Sequence, residues 1–114
     1  MAKRRCFSID VFESYEYLEL SDKAKTLYIG LMLKADDDGV FINYRTPLKL
    51  LSFNEEIFFE LIEKGFILKV ENIYVIAHWN IHNQIPPSKK NPSLYQSQLE
   101  KLALSQDKMY VFKL

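Results

Sequence analysis

His78 and His82 stand four residues apart on either side of the only tryptophan, in the stretch HWNIHNQIPPSKK at 78–90. On a helix that spacing puts two imidazoles on one face, the arrangement with which zinc hydrolases hold their metal. Such a site also needs a third ligand and a general base, and Trp79 stands where the zinc-protease motif carries glutamate. The pair directly follows a β-rich run and leads into Pro86 and Pro87, which a regular helix does not span. No metal is expected here. Trp79 and Ile81 are expected to plug the core, with the histidines hydrogen-bonded locally.

A second cluster, Asp36, Asp37 and Asp38 before Gly39, has the acid density of a calcium loop. An EF-hand alternates its ligands and ends on glutamate at the twelfth position, whereas Phe41 and Tyr44 interrupt the series here. The expectation is a solvated turn whose aspartates accept backbone N–H bonds. The chain has no phosphate-binding glycine loop, no serine elbow and no cysteine pair, and its one cysteine, Cys6, has no histidine near it in sequence. Neither catalysis nor a cofactor is expected. Glu55, Glu56, Glu60 and Glu63 have the spacing of a wet helix face.

Fifteen basic and fifteen acidic side chains cancel, so no global field draws the molecule to nucleic acid or to an anionic membrane. Contact with DNA would have to come from local clusters. Three exist: Lys3, Arg4 and Arg5 at the start, Arg45 and Lys49 in the middle, and Lys89 and Lys90 after the prolines. Short basic arms of this kind contact phosphates or a minor groove. The competing reading is plain solvated charge.

The elements that must position these residues follow from periodicity and caps. One domain is expected from 114 residues with 48% apolar side chains. Its core runs over about 7–85, a basic linker over 86–92, and a C-terminal helix and strand over 93–114. Ala24, Leu27, Tyr28, Leu31, Met32 and Ala35 predict a helix over 22–35, with Ser21 as its cap. Residues 40–42 read as a short strand. A short helix follows, with Thr46 as N-cap and Pro47 in first place. Asn54 caps a third helix over 55–64. Two β-branched runs, 66–70 and 73–77, are separated by two residues and read as a hairpin. Ahead of all this, 7–20 reads as a strand-like lead and a short helix, and behind it 93–104 reads as a helix and 109–114 as a strand. The predicted class is α+β, a winged helix-turn-helix of three helices and a β-hairpin wing with a C-terminal helical extension. No segment approaches the roughly 20 apolar residues of a membrane span, and the expected home is the cytoplasm.

Three pieces, AKRRCFSIDV, ADDDGVF and HWNIHN, resemble in order and spacing the N-terminal winged-helix region of phage replisome organiser proteins related to the bacterial primosome protein DnaD. The resemblance extends from Lys3 to about Leu102. It implies a phage or prophage replication protein in a bacterial host, acting at the origin without catalysis and alongside a helicase loader or other initiation proteins. It also implies that the winged-helix part serves mainly in self-association. This chain departs from the family where relatives carry more basic residues after the HW-x-IHN segment. An acidic third helix is a poor reader of a phosphate-lined groove, so weak DNA binding through Lys3, Arg4, Arg5, Arg45, Lys49, Lys89 and Lys90 is expected. For self-association, Leu94, Leu99, Leu102, Leu104 and the MYVFKL strand offer apolar surface. The alternative is a protein-interaction module that regulates host replication or transcription factors without binding DNA.

Overall fold

A computed structural model describes residues 4–114, so Lys3 lies outside the described residues. Two single turns, α1 (Ile9–Phe12) and α2 (Tyr15–Leu18), lead into the longest helix, α3 (Asp22–Lys34). The Ser21 hydroxyl oxygen accepts the Ala24 N–H and starts α3, and the periodic stripe Ala24, Leu27, Tyr28, Leu31 and Met32 is buried. Then come β1 (Val40–Phe41), α4 (Arg45–Leu51) and α5 (Glu55–Glu63), the last capped by Asn54 accepting the Glu56 N–H. Leu48, Phe58 and Leu61 join the α3 stripe in the main core.

Helix α4 begins two residues earlier than expected, so Thr46 is not its N-cap. Asn43 brackets the start instead, donating Nδ2–H to Thr46 Oγ1 at 2.8 Å and accepting the Thr46 N–H at 3.4 Å. Pro47 falls in third place, where its missing N–H still removes no intrahelical bond.

The hairpin β2 (Ile67–Val70) and β3 (Ile73–Ile76) pairs antiparallel in the register Val70↔Ile73, and β1 adds to β3 with Val40↔Val75, giving the order β1-β3-β2. The turn lacks glycine, and Glu71 takes up a left-handed φ of 54°. The sheet has two covered faces. Phe41, Ile67 and Ile76 pack on the helices, whereas Val40, Val70, Ile73 and Val75 form a second cluster closed by Leu102.

Leu102 comes from the C-terminal segment, whose course differs from the expected extension. After α6 (Trp79–His82), the only helix over 93–104 is the single turn α7 (Gln96–Leu99). The chain then becomes β4 (Leu102–Leu104), which pairs antiparallel with β5 (Tyr110–Phe112), Leu102 opposite Phe112. Leu99 and Leu102 are drawn onto the outer face of the sheet, and covering that apolar face outweighs the modest helix propensity of the segment. Among the described residues no strand forms before α1 either. Cys6 and Ser8 donate their N–H groups to the Asn83 side chain and the His82 ring, so the lead is held extended by side chains.

Candidate nucleic-acid interface

The expected DNA contacts divide into two groups. Arg4, Arg45, Lys49 and Lys89 are exposed. Arg45 and Lys49 lie one turn apart on α4. The Arg45 guanidinium lies 4.7 Å from the Tyr44 ring centroid and 3.8 Å from Glu55 in a loose exposed pair. Arg5 and Lys90 are engaged by carboxylates of the chain itself, with the Arg5 side chain buried and Lys90 half-buried. The Arg5 side chain is 4% exposed and donates to Asp37 Oδ1 at 2.8 Å and to the Ala35 carbonyl at 2.7 Å, with its guanidinium 5.0 Å from the Trp79 ring. Lys90 donates to Asp38 Oδ1 at 2.7 Å. These two residues are therefore withdrawn from the list of accessible phosphate contacts.

Their partners correct the reading of DDDG as a solvated turn. Asp36 does cap the turn, accepting the N–H groups of Asp38 and Val40. Asp37 faces inward, and its Oδ2 accepts the Asn91 N–H at 2.9 Å. That backbone bond and the Arg5 guanidinium hold the Asp37 carboxyl below the usual carboxylate range. Asp38 is buried and accepts from Lys90, from the Ser93 N–H at 2.8 Å and from Gln96 at 3.3 Å. The Trp79 indole N–H donates to the Asp37 carbonyl, and the Tyr110 hydroxyl to that of Asp38, both at 2.9 Å. One four-residue turn thus ties together the N-terminal arm, the end of α3, α6, the basic linker and β5. Gly39 closes it at φ 83°, and a Cβ there would sit 2.6 Å from Trp79 Cγ.

The histidines are likewise structural, but not local. His82 is buried, and its Nδ1 accepts the Ser8 N–H at 2.7 Å. Nδ1 is then the unprotonated nitrogen, which leaves Nε2–H to donate to the Tyr28 hydroxyl at 2.9 Å. Phe7, Phe12 and Tyr28 surround the ring. Burial pushes the His82 pKa down to about 4, helped by neighbouring His78, so the ring is neutral near pH 7. His78 stacks on Phe66 at 4.8 Å, and burial lowers its pKa as well. With both His82 nitrogens held by protein groups, the pair offers no two-imidazole site. Among the described residues no group of three or more His, Cys, Asp and Glu is placed to hold a metal ion. Trp79 is fully buried and Ile81 packs partly buried against the core, as expected of a plug.

On α5 the glutamates serve two purposes. Glu60 binds the start of α3, its two oxygens accepting the Ser21 N–H at 2.8 Å and the Ser21 hydroxyl at 2.7 Å. Glu55, Glu56 and Glu63 are exposed around Phe59, a face that repels phosphate. Lys34 escaped the sequence reading, since a lone lysine closing an apolar helix forms no cluster. It is exposed and borders the cleft formed with Arg5, Asp37, Asn91 and Tyr95.

No family model, curated protein or solved structure matches the chain. No described helix is long and apolar enough to cross a membrane. What stands is an α+β fold of helices on a small antiparallel sheet, with a set of exposed cations and an internally neutralised acidic turn.

Proposed function

We propose that this chain is a winged-helix module of a phage-type DNA-replication protein that self-associates and binds DNA weakly. The observation that carries the reading is topological. A helix, a short strand, two helices and a hairpin follow in that order, and the first strand pairs with the last in the sheet order β1-β3-β2. In that arrangement α5 stands where a groove-reading helix would, and its glutamates turn the contact over to Arg4, Arg45, Lys49 and Lys89. Arg5 and Lys90 act indirectly, by fixing the arm and linker that carry Arg4 and Lys89. Self-association uses the exposed Leu94, Leu104, Val111 and Phe112 rather than Leu99 and Leu102, which this chain covers itself.

Titration of labelled duplex and single-stranded DNA at low and moderate salt tests the reading. Binding should weaken steeply with salt, and Arg4→Gln/Lys89→Gln and Arg45→Gln/Lys49→Gln should each lower affinity about tenfold and flatten the salt slope by about one to two. No binding at low salt, or binding indifferent to all four changes, rejects it. A module that contacts proteins alone is the second reading, and the exposed apolar and acidic faces of α3 and α5 favour it.

A further inference from the structure

Helix α3 is apolar on two sides. Ala24, Leu27, Tyr28, Leu31 and Met32 are closed into the core, while the far side carries Ile29 and Leu33, 39% and 51% exposed. Across from them α4 sets Leu50, 81% exposed. Between the two helices runs a groove of about 420 Å³. Gly30 allows the approach at its floor, since a Cβ there would already touch Pro47 at 3.4 Å. A helix apolar on one stripe is satisfied by one core; a second stripe calls for a second cover.

Dimension and charge specify that cover. The groove follows α3 from Thr26 to Lys34, about 12 Å at 1.5 Å per residue, or two turns of a docked helix with anchors at i, i+3 or i+4, and i+7. Lys34 is the only charged side chain lining it among the described residues. Lys23 and Lys49 are exposed on the same two helices, against a single carboxylate, Asp22. Nucleic acid does not suit a trough walled by carbon. The longest acidic helix of a second copy, α5, exposes only Phe59, and its other exposed apolar side chains beside carboxylates, Ile9, Tyr15 and Leu18, sit on the single turns α1 and α2, too short to fill a groove of two turns.

We infer that the groove between α3 and α4 docks an acidic amphipathic helix of a protein partner, its apolar stripe against Ile29, Leu33 and Leu50 and its carboxylates beside Lys34. None of the residues lining this site is among the proposed DNA contacts, although Arg45 and Lys49 stand on the same helix, α4.

The probe is a helix-stapled synthetic peptide with the sequence of residues 54–65, NEEIFFELIEKG, which carries such a stripe flanked by glutamates. Its anisotropy is followed against the whole chain. Saturable binding is expected, weakened at least tenfold by Leu50→Asp or Leu33→Asp and several-fold by Lys34→Glu, with the melting temperatures of the three variants unchanged. A peptide with its glutamates replaced by lysine should bind more weakly. Absence of saturable binding, equal binding to Leu50→Asp, or equal binding of the lysine peptide overturns the inference. A light-scattering mass that falls on Leu50→Asp without peptide also overturns it, because a second copy then covers the groove.

Discussion

The molecule carries two acidic clusters of nearly equal charge and opposite use. Asp36, Asp37 and Asp38 form the turn after α3 and are matched by Arg5, Lys90 and backbone N–H groups. Of the glutamates on α5, Glu60 is bound by the start of α3, while Glu56, Glu63 and Glu55, the last in a loose exposed pair with Arg45, face solvent. Short side chains near the core are committed to structure because an unpaired buried carboxylate is expensive. Longer ones on the helix surface stay hydrated and set what the surface repels. Local acid density alone says nothing about which will happen.

Four changes break or sharpen this contrast. The largest effect is expected at Gly39, where alanine meets both the left-handed backbone and the Trp79 ring; Gly39→Ala should cost about 4 kcal/mol or more in denaturant unfolding. A loss under about 1 kcal/mol would mean that Trp79 is not held against the turn.

Next is the pH dependence of His82, which anchors the arm behind the turn. Its pKa falls from 6.5 unfolded to about 4 folded, so the unfolded chain takes up the proton first. Stability is complete above about pH 6.5 and declines as pH falls to about 4, by roughly 3 kcal/mol in total. Asp37, also lowered, adds its loss at more acid pH, below the usual carboxylate range. Urea unfolding followed by Trp79 fluorescence at several pH values should show the two windows, with the upper one reduced in His82→Gln to the part that His78, also lowered by burial, contributes.

Third, Asp38→Ala leaves Lys90 and the Ser93 N–H without their acceptor and should cost about 3 kcal/mol. Hydrogen exchange should rise selectively at Ser93 and around β5. The smallest effect is at the other cluster: Glu55→Gln, Glu56→Gln and Glu63→Gln should each move stability by less than about 0.5 kcal/mol. If the triple variant instead binds duplex DNA markedly tighter, the repulsive role of that face is established.

Much of the fold was legible in the sequence. Ser21 and Asn54 announced α3 and α5, because a cap is a local bond between neighbours. The hairpin at 66–77 was legible from β-branched runs two residues apart, and Trp79 was rightly read as core. The helix over 93–104 was not, because Leu99 and Leu102 fit either period and only the uncovered Val40 and Val75 face decided between them. Among the cations, sequence could group Arg4 with Arg5 and Lys89 with Lys90. It could not tell which member of each pair turns inward.

That last division separates what the chain's order of residues settles from what folding settles. Periodicity, caps and turn lengths act over a few residues, so they determined the elements from α3 to β3 and their succession by sequence alone. The partners of His82 lie 54 and 74 residues away, and Asp37 and Asp38 are bound from 32 and 52 residues away. No local pattern encodes such distances, and only the packed structure decided that an apparent metal pair anchors the arm and an apparent solvated turn binds it.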